Sequence, residues 1–337
     1  TVSVLYWRPA PRNPMGNSAF KERLEKAEKT KILTADGVDL DDWDDVTKHG
    51  AKLGACRTVS LANNKLKKPV PAKFVGTPGF GATLRSLDLS KNGLADVAAF
   101  ATGVAPGKGG DLQYAIAVAK KRDSVTPSLP ALEVLDLHGN AIARLPPLFL
   151  AAMPKLKKLH LQGNHLADPS PGKPEESAAA IALWLVLADN LAHVDLSGNR
   201  LTVLPLAPRG DAPADALASE DKATMSAVWP LMRVESLNCA GNKISRASPG
   251  ASFEAPFKPR PHLRSISVAS QADLRAVDPR LFALGKKLVD VDIDGNKAKP
   301  AILDDLRAEE LYKAFVERRA GTVDRQLAAG VDATLAD

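Results

Sequence analysis

Residues Leu132–Ile142 read Leu-Glu-Val-Leu-Asp-Leu-His-Gly-Asn-Ala-Ile. Apolar residues occupy the first, fourth, sixth and eleventh places of this stretch, and an asparagine occupies the ninth. The same template recurs along the chain, which is the pattern of a protein built from stacked internal repeats. The seven further copies, of which the next to last is degenerate, are Cys56–Leu66, Leu84–Leu94, Leu156–Leu166, Leu191–Leu201, Val234–Ile244, Leu263–Leu274 and Leu288–Ala298.

Each copy predicts a short strand followed by a turn. Leu135 and Leu137 point to one side of such a strand, whereas Asp136 and His138 point to the other. One strand cannot bury its apolar side alone, but parallel strands stacked side by side can. The asparagine follows the strand, where its buried side chain can satisfy backbone groups of its own turn and of the neighbouring turn. In the degenerate copy Gln271 takes this place, and we expect a looser turn there.

The template Leu-x-x-Leu-x-Leu-x-x-Asn-x-Leu resembles that of the leucine-rich repeat family, and the resemblance covers roughly residues 56–298. The chain resembles the intracellular type, whose repeats have about 22 to 24 residues. The resemblance implies an α/β fold: a leucine-rich repeat solenoid, or horseshoe, with a parallel concave β-sheet, helical insertions and a C-terminal helical cap. It also implies a recognition protein and not an enzyme.

The positions of the copies divide the chain into three parts. We expect residues 1–50 to form an N-terminal extension and cap, residues 51–299 a solenoid of about eight repeats, and residues 300–337 a C-terminal helical cap and tail. Pro300–Ala320 carries apolar residues at helical spacing, which predicts one amphipathic helix that covers the apolar end of the array.

Uneven spacing of the asparagines predicts three insertions, near residues 102–128, 169–189 and 208–224. The first contains an expected helix over Leu112–Arg122. The second contains an expected helix opened by Glu175 and Glu176, whose charges suit a helix N-terminus. The third is rich in alanine, proline and aspartate, and we expect it to be mobile.

Composition excludes several classes of protein. The chain has 337 residues, with 45 Lys and Arg against 39 Asp and Glu, a net charge of +6. No apolar run approaches the ~18 residues that a membrane-spanning helix needs, and two cysteines cannot form a disulfide framework. With no Asn-x-Ser/Thr acceptor, these features favour a cytoplasmic or cytoskeletal location. The sequence begins with Thr1 and not with Met, so a removed leader, and with it an organelle, stays an open alternative.

The outward columns of the expected sheet carry the candidate partner-binding residues. Neighbouring strands lie about 4.8 Å apart, which places His160 between the carboxylates of Asp136 and Asp195. This arrangement favours a pH-sensitive contact, a metal site or merely a solvated polar ladder; we assign no metal, cofactor or catalytic residue. The surface is poor in aromatic residues, so a basic or hydrogen-bonding extended peptide suits it better than a large apolar partner. The predicted partner-binding residues are Asp88, Asp136, His138, Lys158, His160, His193, Asp195 and Asn238.

We therefore expect a non-catalytic interaction scaffold, a structural subunit of a larger intracellular assembly that binds several proteins through its concave sheet, its insertions and its ends. A second hypothesis is an RNA-contacting subunit of a ribonucleoprotein, because Lys120, Lys121 and Arg122 form a basic cluster that could contact phosphate or an acidic partner. A third is a regulatory subunit of a phosphatase or GTPase, as some members of the family are. Nucleic acid is not the favoured partner, and we expect no membrane contact.

Overall fold

A computed structural model describes residues 14–101, 111–120, 127–167 and 181–328. Within these ranges nine short strands form one sheet, and each strand pairs in parallel with the next along the chain. Two further strands, Arg246–Ala247 and Ala276–Val277, pair in parallel with each other and form a separate small sheet. The strands are β1 Ile32–Thr34, β2 Thr58–Ser60, β3 Ser86–Asp88, β4 Val134–Asp136, β5 Lys158–His160, β6 His193–Asp195, β7 Ser236–Asn238, β8 Arg246–Ala247, β9 Ser265–Ser267, β10 Ala276–Val277 and β11 Asp290–Asp292.

The middle residue of each strand of the large sheet points into one continuous apolar core. Leu87, Leu135, Leu159 and Val194 lie in register on successive strands, and all are buried in the same cluster. The residues on either side of them face outward and are partly exposed in the central strands. The predicted α/β repeat solenoid with a parallel sheet is confirmed.

The sheet has one strand more than the repeat template predicts, because β1 precedes the first recognised copy. Leu33 lies opposite Val59 and fills the core position. Here Ala35 replaces a leucine and Val38 replaces the asparagine of the template. These two replacements hide the repeat in the sequence. The sheet thus begins inside residues 1–50, the segment that we expected to be an extension and cap.

The asparagine at each turn links its own repeat to the preceding one. Asn140 donates from Nδ2 to the Leu137 carbonyl oxygen at 2.9 Å and to the Leu89 carbonyl oxygen at 3.0 Å. Its Oδ1 accepts from the Leu94 amide at 2.9 Å. Asn64, Asn92, Asn164, Asn199, Asn242 and Asn296 repeat this pattern. The ladder satisfies backbone groups that the short strands leave buried.

Helices and turns complete the return side and the two ends. The helices are α1 Pro14–Thr30, α2 Trp43–Thr47, α3 Gly50–Leu53, α4 Ala72–Val75, α5 Phe80–Thr83, α6 Leu112–Ala119, α7 Ala214–Ala218, α8 Lys222–Val228, α9 Lys299–Arg307 and α10 Glu310–Ala328. Residues 181–185 are also helical. The 3₁₀ segments are Ala98–Ala101, Phe149–Ala152 and Pro279–Ala283.

The described parts of the insertions form a second small core. Tyr114 from α6, Val186, and Val228 and Trp229 at the end of α8 are buried together in a cluster separate from the main core. The expected helix of the first insertion begins at Leu112, where Asp111 caps it, and ends at Ala119. The third insertion, which we expected to be mobile, contains α7 and the first residues of α8, and Ala216 of α7 is buried in this cluster. Glu175 and Glu176 lie outside the described residues.

Both ends of the array are covered by helices. At the N-terminal end Phe20, Leu24 and Ala27 of α1 join the main core. At the C-terminal end two helices replace the single predicted one. Leu306 and Phe315 are both buried; at about 100° per residue, nine positions would put them on opposite sides of one straight helix. A break between α9 and α10 lets both side chains reach the core.

Candidate binding surface

Three outward residues from neighbouring strands lie side by side on the concave surface. The register pairs Asp136 of β4 with His160 of β5, and His160 with Asp195 of β6. The same pairing joins Lys158 to His193, and it places Asn238 next to Asp195. Asp88 of β3 lies next to Asp136 in the same register, so the structure brings the predicted residues of strands β3 to β7 together on one surface, which we call the concave patch. It consists of Asp88, Asp136, His138, Lys158, His160, His193, Asp195 and Asn238.

The acidic residues of the concave patch also build the turns that follow their strands. Asp88, Asp136 and Asp195 each accept at Oδ1 from the amide of the residue two places later, at 2.9 Å in all three cases. Asn238 does the same for Ala240 at 3.0 Å. This local hydrogen bond is typical of Asp and Asn after a strand. The recurrence of these residue types thus has a structural cause, independent of any partner.

Neighbouring side chains hold part of the patch in place. His138 Nδ1 lies 2.8 Å from Asp136 Oδ1, so this ring and carboxylate share a hydrogen bond. Asp195 accepts from the Ser197 hydroxyl at 2.6 Å, and its Oδ2 accepts from Asn238 Nδ2 at 3.2 Å. These contacts fix the carboxylate oxygens in position.

Three side chains of the concave patch make no polar contact within the described part of the chain. Among the described residues, the side chains of Lys158, His160 and His193 have no hydrogen bond or ion pair. Lys158 and His193 are exposed, and His160 is partly exposed. Each of the three can donate hydrogen bonds to a ligand. Although His160 is flanked by Asp136 and Asp195, it bonds to neither, so its ring is available.

The concave surface keeps several carboxylates without a basic partner. In the described ranges, Asp88, Asp136, Asp195 and Asp292 form no ion pair with lysine or arginine, and only His138 meets one of them. At the last strand, partial desolvation and then the charges of Asp292 and Asp294 raise the pKa of Asp290. Like charges close together, here on one strand and in the turn after it, have this effect. The outward face of the sheet therefore presents an acidic surface.

A row of ion pairs borders this acidic surface, formed by residues that directly precede β3, β4, β5, β7 and β9. Lys157 lies 2.7 Å from Glu133, and Arg85 lies 3.9 Å from the same carboxylate. The hydrogen bond from Lys157, followed by its charge, lowers the pKa of Glu133. Arg264 pairs with Glu235 at 3.5 Å farther along the row. Charges in this row compensate one another, in contrast to the carboxylates on the sheet.

The predicted basic cluster is only partly described. Lys120 lies 3.7 Å from Asp221 of the third insertion, so its charge is partly compensated. Lys121 and Arg122 lie outside the described residues. Elsewhere Lys65 pairs with Asp39 at 2.7 Å and Lys68 with Asp42 at 3.0 Å.

Candidates for catalysis or metal binding are few in the part of the chain that the structure describes. There, no three His, Cys, Asp or Glu side chains converge as a metal ion would require. Cys56 and Cys239 are buried, and burial raises the pKa of both thiols. A thiol held in its protonated form is a poor nucleophile. In the described ranges no helix combines the length and apolar character needed to cross a bilayer.

One contributor to the concave surface was missed from the sequence. Asp36, which follows β1, accepts from the Ser60 hydroxyl and from the Ala62 amide at 3.1 Å. It belongs to the repeat of β1, which the template did not reveal. The spacing of Leu33 and Leu40, which matches the later repeats, was the signal that could have found it.

Comparisons with known proteins agree with the repeat pattern. A family model for leucine-rich repeats in two copies matches residues 130–171, and a single-repeat model matches residues 82–101. Podocan-like protein 1 of Mus musculus is 27% identical over 300 residues, which cover 75% of this chain and 52% of that protein. The chain thus spans about half the length of this curated relative.

Solved structures of repeat proteins are similar as well. The leucine-rich repeat domain of APL1B has a TM-score of 0.49 at 17% identity, covering 86% of this chain and 61% of that chain. The structure of the Toll–Spatzle complex of Drosophila has a TM-score of 0.47 at 16% identity, covering 73% of this chain and 25% of that chain. The structure of the TLR13–ssRNA13 complex has a TM-score of 0.45 at 19% identity, covering 73% of this chain and 26% of that chain. The fold assignment itself rests on the nine-stranded sheet.

The expected cytoplasmic or cytoskeletal location is wrong by these comparisons. Podocan-like protein 1 is a secreted or membrane-associated leucine-rich repeat protein and is not clearly cytoplasmic. Two cysteines and a missing Asn-x-Ser/Thr acceptor therefore do not indicate the compartment of this chain.

Proposed function

Because the chain is a leucine-rich repeat protein, we propose that it serves as a non-catalytic scaffold that holds a segment of another protein against its concave patch. Leucine-rich repeat proteins generally mediate protein interaction, and they are typically binding proteins without enzymatic activity. The match covers only 52% of Podocan-like protein 1, so the activity of that whole protein is not part of the proposal.

The observation that carries this proposal is the coexistence of unpaired carboxylates and free donors on one rigid surface. The carboxylates of Asp136 and Asp195 flank His160, and neither meets a lysine or arginine in the described ranges. A polypeptide in extended form places side chains and backbone groups at regular intervals, which match a sheet of regularly spaced strands. A basic segment would supply the missing positive charge, while its carbonyl groups would accept from His160 and Lys158.

Removal of two negative charges from the concave patch tests the proposal. The variant Asp136→Asn/Asp195→Asn keeps an oxygen for each turn hydrogen bond but removes both charges. The probe is a fluorescein-labelled peptide of alternating arginine and serine, followed by anisotropy at several salt concentrations. We expect binding by the unmodified chain that weakens with salt and falls at least about tenfold in the double variant.

A matched control places the same two changes away from the concave patch. Asp273 and Asp304 are exposed and pair with Arg275 and Arg307, so Asp273→Asn/Asp304→Asn removes two charges without touching the sheet. This control should keep the affinity within about twofold. Equal loss in the two double variants would show that net charge, and not the concave patch, holds the peptide.

The ribonucleoprotein and enzyme-regulator hypotheses stay predictions. A single-stranded RNA oligonucleotide, added in place of the peptide, examines the first of them. Retention of RNA that is strongly salt-dependent and lost in Lys120→Ala/Lys121→Ala/Arg122→Ala would favour RNA contact over peptide binding.

A further inference from the structure

The insertions bring their helices to one edge of the sheet and form a wall there. Helices α6 and α8 pack against each other, and their apolar residues meet Val186 and Leu187 in the second core. Opposite this wall lie the loops that lead into β5, β6, β7 and β9. Between the wall and the loops is an open cleft of about 950 Å³, which we call the lateral cleft. It lies beside the concave patch and shares none of its residues.

Apolar groups line part of the lateral cleft. Ala119 and Leu187 come from the insertions, and Pro154 and Ala192 come from the loops before β5 and β6. The volume is within the range of natural ligand sites, roughly 300 to 1,000 Å³. It is large enough for several side chains of a peptide, with apolar contacts for their stems.

Basic groups on both sides of the lateral cleft lack carboxylate partners. Lys155 precedes β5, and Lys222 begins α8 on the opposite wall. Both are exposed, and neither forms a hydrogen bond or an ion pair with a described side chain. Within the described residues, the guanidinium of Arg233, before β7, meets only the ring of His262, with 3.1 Å between Nη1 and Nε2. Its guanidinium has five N–H donors in all, so donors remain for a ligand.

The carboxylates of the lateral cleft are already engaged. Asp189 accepts from the Ser226 hydroxyl at 2.6 Å. Asp221 accepts from the Thr224 amide at 3.0 Å and hydroxyl at 2.8 Å, and it lies 3.7 Å from Lys120. Glu235 pairs with Arg264 at 3.5 Å. Lys120 and Arg264, which do not line the cleft, balance the charges of Asp221 and Glu235, whereas the hydroxyl bond to Asp189 leaves its charge in place. Three cations against this one uncompensated carboxylate make the cleft complementary to negative charge.

We propose that the lateral cleft binds an acidic segment of a partner protein, whose carboxylates meet Lys155, Lys222 and Arg233. The wall formed by the insertions holds Lys222 opposite the other two cations, so a bound segment would be contacted from both sides. Three separated cations on a cleft that also offers apolar contacts suit a chain of carboxylate side chains. This proposal is independent of the peptide proposed for the concave patch, because the two sites differ in residues and in charge.

Binding of a fluorescein-labelled octaglutamate peptide to the full chain tests the assignment, with anisotropy as the readout. The test variant is Lys155→Ala/Lys222→Ala/Arg233→Ala. The matched control is Arg200→Ala/Lys243→Ala/Lys297→Ala, which likewise removes two lysines and one arginine, here from exposed turns that follow the strands. Circular dichroism and thermal unfolding confirm that both variants are folded.

The expected result is salt-dependent binding that is at least about tenfold weaker in the test variant and within about twofold of the original in the control. No measurable binding by the unmodified chain, or equal losses in the two variants, would overturn the proposal. An RNA oligonucleotide that depends on the same three cations while octaglutamate does not bind would overturn it too, in favour of phosphate. If the test variant does not fold, Lys155→Glu alone, an exposed change, carries the same expectation of weaker binding.

Discussion

Gln271 donates from Nε2 to the carbonyl oxygen of Cys239 at 2.7 Å, the bond that an asparagine makes in the other recognised repeats. Its Oε1 accepts from the Ile244 amide at 3.1 Å, and its own amide donates to Asn296 at 2.8 Å. The longer side chain therefore completes the same ladder. Within its own turn Gln271 donates to the Ala269 carbonyl oxygen at 3.2 Å, and not to the carbonyl three residues earlier as Asn140 does. The links to both neighbouring repeats are formed, and the looser turn that we expected stays a prediction.

Removing this link should destabilise the protein. Gln271→Ala leaves the buried Ile244 amide and Cys239 carbonyl without this partner, which costs about 1 to 3 kcal/mol of unfolding free energy. Urea unfolding measures the loss. Gln162→Ala is the matched control: its side-chain oxygen is buried and bonds to no described residue, so the change should cost far less. Similar losses in the two variants would contradict a specific role for Gln271.

Members of the concave patch should separate into residues that build the sheet and residues that do not. Asp195→Ala removes the acceptor of the Ser197 amide and of Asn238 and should lower the unfolding free energy by about 1 to 2 kcal/mol. His160→Ala breaks no bond within the described residues and should stay within about 0.5 kcal/mol of the original. Chemical denaturation of both variants checks this. A large loss for His160→Ala would mean that the ring has a structural function.

The repeat template predicted the fold because its periodicity is also the physical cause of the fold. Leucines that alternate in the sequence are the residues that stack in the core, so strands from β2 to β11 of the large sheet could be placed by spacing alone. The first strand was missed because Ala35, which is buried, and Val38, which is partly buried against the core, are not the template's residue types. A sequence template specifies residue types, whereas the fold requires only a side chain of suitable volume and hydrogen bonding at each position.

The lateral cleft could not be predicted from the sequence, for a different reason. Lys155 and Arg233 belong to different repeats, and Lys222 belongs to an insertion whose packing depends on two other insertions. No local pattern records that these segments meet. In contrast, the concave patch could be written down in advance, because strand register alone determines which of its side chains are neighbours.

Asp290 should make stability depend on pH. Its pKa is raised in the folded chain by partial desolvation and by Asp292 and Asp294, while Arg319 opposes the shift. As the pH rises above the ordinary value of 3.8, the unfolded chain loses this proton first, so the folded state becomes relatively less stable until Asp290 ionises too. Asp290→Asn should therefore raise stability near pH 7 and leave it unchanged near about pH 3.

Urea unfolding at several pH values measures this difference, and an exposed aspartate gives the control. The hydrogen bond from Arg275 lowers the pKa of Asp273, so its stabilising contribution is present at neutral pH and is lost as the pH falls through its folded value. Asp273→Asn should thus change stability in the opposite direction at neutral pH. A destabilised Asp290→Asn at neutral pH would contradict the account of Asp290.

The strongest effect of a single charged residue is expected at Arg280. Its guanidinium donates to the buried carboxylate of Asp278 at 2.7 Å and to the carbonyl oxygens of Ala255 and Ser252 at 2.9 and 3.0 Å. It also lies over the ring of Phe257 at 5.2 Å. One side chain thus fastens the loop after β8 to the turn after β10. Arg280→Met should cost about 3 kcal/mol, because it leaves a buried carboxylate without its cation.

Comparison with an exposed pair shows how much of that cost comes from burial. Arg275 pairs with Asp273 in the same region, with side chains 74% and 59% exposed, and Arg275→Met should cost less than about 1 kcal/mol. Asp278→Asn added to Arg280→Met should restore part of the stability, since no buried charge then remains unpaired. Calorimetry or urea unfolding of the three variants measures this. If the second change lowers stability further, the carboxylate of Asp278 is held by its remaining donors, chiefly the Ser248 hydroxyl at 2.8 Å, and the guanidinium acts through the loop carbonyls instead.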